Sequence, residues 1–257
     1  MPSLTPPRDE SALMGSSAST FQRIRMWLRP TAGPIWSAHA AFFTVSVLIV
    51  LGNVIFWWML ASVASNSGPA TWDGPLHSAA VASRNSLFTA LMSAVTTVTS
   101  PMAMAAIGSL TAVVWFFWRH ELRRPLILMV AMAGTVALSS FIKHQVGRPR
   151  PSAKEFLLGP DDALSFPSGH TLGSGVFFGV LAYLLVSRLE KRTTALLAAI
   201  AAVLGTALVG LSRVYLGYHW FTDVVASGSL ALVVTGVVML VDSLLPRTLP
   251  DSATHSR

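Results

Sequence analysis

Six long apolar runs, near residues 39–64, 101–118, 125–143, 171–187, 195–211 and 221–243, alternate with short polar stretches along the chain. Each is close to the roughly 20 residues that cross the hydrocarbon core of a bilayer. In that medium a run of such length hides its backbone N–H and C=O groups only as a helix. Soluble core helices fit poorly, because so many consecutive runs leave almost nothing polar to face water. Residues 85–100 follow a different pattern. Phe88, Leu91, Val95 and Val98 recur at three- and four-residue steps with Ser and Thr between them, which predicts an amphipathic helix lying at the interface before Pro101 opens the second span. A seventh, weakly polar span is the alternative, disfavoured by the short turn it needs at Ser100–Pro101. The expected fold is all-α: a polytopic membrane protein with six transmembrane helices in a bundle plus an interfacial amphipathic helix, occupying residues 31–245.

The flanks read differently. Residues 1–20 are rich in Ser, Pro and Ala and resemble a disordered tail. Over 21–30, Phe21, Ile24, Trp27 and Leu28 share a helical face while Arg23, Arg25 and Arg29 lie elsewhere, the pattern of a short basic helix on an anionic leaflet; a plain linker is the other reading. Residues 246–257 form a short cytoplasmic tail. The first 30 residues lack the apolar core that a cleavable signal needs.

Composition supports the membrane class. Only 11% of the 257 residues are charged and 53% are hydrophobic, whereas a soluble domain carries about 25% charged residues. Cysteine is absent, which excludes a disulfide framework and thiolate metal sites. The net charge of +7 sits in short clusters between apolar runs, which suits juxtamembrane loops and excludes nucleic acid as the expected partner. With the N-terminus inside, inner segments hold 12 Lys and Arg residues and outer segments 6, so both termini are expected in the cytoplasm. Trp57, Trp58, Trp115, Trp118 and Trp220 fall near span ends and suggest an aromatic belt.

The outer segments gather the chemistry. Lys143 ends the third span and runs into Gly147-Arg148-Pro149-Arg150-Pro151. The glycine and prolines stop the helix, so the chain can turn both Lys143 and Arg150 toward one anion. Snorkelling is the competing reading for Lys143, and Arg148 reads as a plain loop charge. Pro167-Ser168-Gly169-His170 opens the fourth span, where a helix N-terminus offers free N–H groups to an anion, Gly169 allows close approach, and Ser168 caps the helix or also donates. Ser212-Arg213, His219 and Asp223 lie between the fifth and sixth spans. If the helix has begun, His219 and Asp223 share a face, and the carboxylate can hold one ring nitrogen and leave the other as a nucleophile. Cations, two histidines and one aspartate on one face suit a phosphate site better than a metal site, which would want several carboxylates. Asp161 and Asp162 read as solvated. His39, His77, His120, His144 and His255 have no evident partners.

Taken together, Lys143-x6-Arg150-Pro151, Pro167-Ser168-Gly169-His170 and Ser212-Arg213-x5-His219-x3-Asp223 resemble the three-part signature of the type 2 phosphatidic acid phosphatase superfamily, in its integral-membrane lipid phosphatase branch. The resemblance covers roughly residues 39–243 with no departure inside the motifs. It implies a phosphohydrolase without cofactor or metal acting on a lipid phosphate, with His219 as nucleophile, Asp223 holding its ring, and His170 as general acid and then base. Lys143, Arg150 and Arg213 would bind the phosphate oxygens, helped by Ser168 and the Gly169 backbone. His219 would start neutral and His170 charged, giving a bell-shaped pH profile. The implied substrates are an isoprenoid diphosphate such as undecaprenyl diphosphate, phosphatidic acid or phosphatidylglycerol phosphate, met at the outer face of a plasma membrane. A lipid-linked phosphotransferase and a non-catalytic lipid transporter or scaffold are the alternatives.

Overall fold

The computed structural model describes residues 38–187 and 191–245. The tail at 1–20, the basic helix at 21–30 and the C-terminal tail at 246–257 lie outside the described residues. Among those described the chain is all-helical, with α1 (Ala38–Ser65), α2 (Asp73–Ala82), α3 (Ser86–Val98), α4 (Pro101–Arg119), α5 (Arg123–Val146), α6 (Gly169–Val186), α7 (Arg192–Tyr215) and α8 (Phe221–Leu244). Short 3-10 turns occupy Gly68–Trp72 and Ala153–Glu155. Six of these helices, α1 and α4 through α8, are long and apolar enough to cross a membrane.

Local signals set the ends. Ser100 caps α4, its side chain accepting from the Ala103 N–H at 3.3 Å, with Pro101 at the first helical position. Gly147 closes α5 at φ +64, its N–H donating to the Lys143 carbonyl at 2.9 Å, the left-handed cap that glycine adopts without penalty. Two helices run further than the hydropathy pattern predicts. The third span reaches Val146, past the Lys143 at which it was expected to end, and the fifth reaches Tyr215, so Arg213, expected between spans, is a helical residue. Each cation finds partners across the bundle end, which removes the polarity barrier that made the apolar run seem to stop earlier.

The core sits around α6. Leu172, Val176, Val180 and Leu184 of α6 pack with Leu128 and Ala131 of α5, Met104 and Trp115 of α4, and Ala226, Leu230 and Ala231 of α8. α1 lies along the other side of α8 and adds Phe56 and Met59. Small residues allow these close crossings. A Cβ at Gly52 would stand 2.6 Å from the Ser229 carbonyl oxygen, and one at Gly179 would stand 2.5 Å from Thr235 Oγ1. Outward faces carry exposed large apolar side chains, such as Phe42 and Val54 on α1, Phe117 on α4 and Leu197 on α7, as lipid contact requires. Trp57, Trp58 and Trp118 are exposed in keeping with an aromatic belt, but Trp115 is buried in the core and Trp220 faces the site below.

The amphipathic segment forms a helix, α3, beside α7. Met92 and Thr96 face inward, both 2% exposed, while Phe88, Leu91 and Val98 of the expected stripe are exposed. That is the face an interfacial helix turns to lipid. A second small core of Met92, Tyr215, Leu216 and Tyr218, with Phe156 against it, fastens α3 and the loops onto the end of α7.

Candidate active site

Four helix ends meet at one end of the bundle: the C-termini of α5 and α7 and the N-termini of α6 and α8. Residues 147–168 fold across them. The chain leaves α7 through Gly217, whose φ of +91 and close approach to Glu155 exclude a side chain, a Cβ there standing 2.6 Å from the Glu155 carbonyl oxygen.

His219 lies just before α8 and is 1% exposed. Its Nδ1 is 3.3 Å from Asp223 Oδ2, and its Nε2 is 3.2 Å from Arg150 Nη1. The pairing was expected from a shared helical face, yet the helix begins only at Phe221. Asp223 instead occupies the third helical position and reaches back, accepting from the Trp220 N–H at 3.0 Å. This N-terminal cap geometry carries the carboxylate to the histidine. Ser165 donates its hydroxyl to the same Oδ2. Burial pushes His219 down to about 4, with Asp223 pulling the other way, so the ring is neutral at pH 7.

Arg150 and Arg213 converge on this pair. Arg150 donates from Nη1 to the Tyr218 carbonyl at 2.8 Å and from Nε to the Ala163 carbonyl at 2.5 Å. Burial draws its guanidinium below the ordinary arginine value, opposed by Asp161 and Asp223. Arg213, 3% exposed, donates to Thr96 Oγ1 at 2.7 Å and lies over the Tyr218 ring at 4.3 Å. Lys143 donates to the Leu164 carbonyl. Ser168 caps α6, its Oγ accepting from the Thr171 N–H at 3.5 Å and the Thr171 hydroxyl at 3.0 Å, which leaves its own hydroxyl proton free to donate. Gly169 keeps that helix start uncrowded, since a Cβ there would meet nothing closer than Ser139 Oγ at 3.9 Å. His170 is half-buried in the first turn of α6. All eight residues singled out from the sequence therefore sit at this end of the bundle.

Several others in the site were not foreseen. Arg148 is no plain loop charge: it donates to Asp223 Oδ1 at 2.5 Å, Thr222 Oγ1 at 2.8 Å and Asp73 Oδ2 at 2.6 Å. Asp161 is not simply solvated, since its Oδ2 lies 2.8 Å from Arg150 Nη2 and 3.8 Å from Arg213 Nη2. His77 has a partner after all in Glu155, and its ring lies 5.4 Å from that of Trp220. Trp220 donates its indole N–H to the Pro149 carbonyl at 3.0 Å, so it walls the site rather than anchoring a membrane belt. Asp73, Thr96 and Ser165 carry no motif, and only their tertiary neighbours reveal them. The doubled arginine around Pro149 was the one legible signal for Arg148.

Among the described residues, no three His, Cys, Asp or Glu side chains gather as metal ligands would. The donors are guanidinium, ammonium, hydroxyl and helix-start N–H groups, a set that fits the oxygens of a phosphate.

Fold and site together define a polytopic membrane protein with a carboxylate-held histidine beside an arginine-lined anion site. The family model for the PAP2 superfamily matches residues 124–245, which include every residue of the three-part signature. It is 28% identical over 198 residues to phosphatidylglycerophosphatase B of Bacillus subtilis, covering 75% of this chain and 94% of that one. It is 32% identical over 123 residues to the putative undecaprenyl-diphosphatase YbjG of Escherichia coli, covering 44% of this chain and 56% of that one. Among solved structures, the transmembrane PAP2 type phosphatidylglycerolphosphate phosphatase from Bacillus subtilis superposes with a TM-score of 0.65 at 27% identity, over 77% of this chain and 98% of that one.

Proposed function

We propose that this protein is a membrane PAP2 phosphatase that removes phosphate from a lipid phosphomonoester or diphosphate through a phosphohistidine on His219. The observation that carries the reading is the orientation of a neutral, buried imidazole. Its Nδ1 faces Asp223 and its Nε2 accepts from Arg150, so the nitrogen that carries the lone pair points toward the arginine that would hold a phosphate. In the first step Nε2 attacks phosphorus, the bond from phosphorus to the lipid oxygen breaks, and His170 gives that oxygen its proton. In the second step water attacks phosphorus, the P–N bond breaks, His170 takes the water's proton, and inorganic phosphate leaves. Lys143, Arg150 and Arg213 compensate charge on the equatorial oxygens, with the Ser168 hydroxyl and the Gly169 N–H as further donors. No metal ion takes part.

Phosphatidylglycerol phosphate is the first substrate to test, because the relative that the chain covers almost end to end is a phosphatidylglycerophosphatase. Undecaprenyl diphosphate and phosphatidic acid follow. The Lys and Arg distribution supports cytoplasmic termini and a site at the outer face of the plasma membrane. Reporter fusions at residues 155 and 190 test this, and a cytoplasmic residue 155 would overturn it.

Phosphate release from the three lipids in detergent with EDTA tests the reaction, with His219→Ala beside the wild type. Release that survives EDTA and disappears in the variant, together with an acid-labile phosphoenzyme in the wild type, is the expected result. Activity that requires a divalent cation or persists without His219 would overturn the mechanism. Transfer only in the presence of a second acceptor would make the protein a phosphotransferase.

A further inference from the structure

The two arginines of the Gly147–Pro151 turn straddle the His219–Asp223 pair. Arg150 meets His219 Nε2, on the side of the proposed anion site, while Arg148 meets Asp223 from behind. Arg148 is 13% exposed at its side chain and is held between two buried carboxylates, Asp223 of α8 and Asp73 of α2, whose side chains are 0% and 5% exposed. Asp73 does more than neutralise Arg148. Its Oδ1 accepts from the Thr222 N–H at 2.9 Å and its Oδ2 from the Thr222 hydroxyl at 2.7 Å, so it satisfies a free N–H in the first turn of α8 from a separate helix. Arg148 also lies 5.6 Å over the Trp220 ring. Guanidinium suits this place because one planar fork can serve Asp223 and Thr222 from Nη1 and Asp73 from Nη2, which a lysine cannot do.

We propose that Asp73 and Arg148 act as a paired positioning device for the reaction, fixing the Asp223 carboxylate so that its Oδ2 holds His219 Nδ1 and its Oδ1 is occupied. The proposal rests on His219 being the nucleophile. Neither residue belongs to the three-part signature, and Asp73 lies outside the stretch that matches the family model. Arg148 is taken up by Asp73, Thr222 and Asp223 and stands behind the pair, so it positions without touching phosphate. The consequence is kinetic. Loss of either residue lets Asp223 rotate and the imidazole drift from its line of attack, and a misplacement of about 1 Å costs on the order of 100-fold in rate. Binding of the phosphate oxygens by Lys143, Arg150 and Arg213 is untouched.

The test uses full-length wild type, Asp73→Asn, Arg148→Gln, Arg148→Lys and the double variant Asp73→Asn/Arg148→Gln in detergent, with kcat normalised to folded protein. Arg148→Gln should lower kcat on the order of 100-fold while the competitive inhibition constant for inorganic phosphate, which binds without a bond to His219, stays unchanged. Arg148→Lys should remain slow, since it restores the charge without the fork. The double variant should be no slower than Arg148→Gln alone, as residues acting through one group are non-additive. Wild-type kcat in Arg148→Gln, losses that multiply in the double variant, or weaker binding of inorganic phosphate with kcat intact would each overturn the proposal. Rapid-quench trapping of the phosphoenzyme separates it from the mechanism it rests on. A phosphohistidine that forms equally fast in wild type and Arg148→Gln overturns the positioning role alone, and none in the wild type overturns both.

Discussion

The Asp161 carboxylate stands where a phosphate oxygen would be expected, 2.8 Å from Arg150 Nη2 and 3.8 Å from Arg213 Nη2. A ligand anion that uses both guanidinium groups must displace it. The strength of that competition follows from burial. The arginine side chains are 9% and 4% exposed, while that of Asp161 is 29% exposed. An exposed ion pair contributes about 0.2–1 kcal/mol, and breaking a buried one costs about 3–5 kcal/mol. With two shielded partners and one half-open one, the contact belongs between these limits, near 1–2 kcal/mol, which corresponds to a factor of about 5–30 in an equilibrium constant.

Asp161→Asn keeps the side-chain shape and removes the charge. The expected outcome is that orthovanadate and inorganic phosphate inhibit about 5–30 times more tightly, measured as competitive inhibition constants in detergent at constant ionic strength. The direction decides the matter. If inhibition is unchanged, Asp161 does not contest the anion site. If inhibition weakens, Asp161 holds the arginines in place for phosphate instead of competing with it. Either result refutes the reasoning.

Three further outcomes are expected. His170→Ala should lose about 10²–10⁴-fold in turnover on a lipid with a poor leaving group and much less on an aryl phosphate, whose leaving oxygen needs no proton; equal losses on both would remove His170 from general acid catalysis. With the neutral ring of His219 as the proposed nucleophile and burial holding it down to about 4, kcat/KM should keep this group active down to about pH 5 and lose it as pH falls through 4, whereas an acid limb near the ordinary 6.5 that disappears when His170 is replaced would assign the limb to the other histidine. Gly52→Ala should lower thermal stability by about 1–3 kcal/mol, read as a drop in Tm in detergent, because the added Cβ would stand 2.6 Å from the Ser229 backbone and 2.7 Å from Val233 Cγ2; an unchanged Tm would show that α1 and α8 can separate at no cost.

How much of this was legible in the sequence divides along physical lines. Spans and motifs are local in sequence: hydropathy located all six long helices within a few residues, and the anion-site residues arrived already spaced for their helix ends. What escaped depends on pairs distant in sequence. Arg148 reads as a loop charge until α2 brings Asp73 to it, 75 residues away. Thr96 looks like one more threonine on an interfacial helix until Arg213 donates to it from 117 residues away. Helix ends were misjudged at Arg213 for the same reason. A hydropathy window scores a cation as a boundary, although a cation with a hydroxyl, an aromatic face and a carboxylate around it is accommodated inside the last turn.

The charges around the anion site also form a consistent set. Four cations, Lys143, Arg148, Arg150 and Arg213, stand with three carboxylates, Asp73, Asp161 and Asp223, while His219 is neutral. The carboxylates are not equivalent. Asp73 and Asp223 are buried and committed to Arg148 and to the first turn of α8, whereas Asp161 is half-exposed in the loop before α6 and holds the two arginines and the Ala163 N–H. Displacing Asp161 with a phosphate dianion would lower the net charge of the cluster by one, from +1 to neutrality with His170 uncharged and from +2 to +1 with His170 carrying the proton it is proposed to donate, and both arginines would keep an anionic partner. A phosphodiester carries a single charge, like the Asp161 carboxylate it would displace, and so leaves the net charge of the cluster unchanged, with nothing gained to offset its own desolvation. This charge balance supports the proposed reading, in which the cluster compensates a terminal phosphate group, on a monoester or a diphosphate, better than the phosphodiesters of a bilayer.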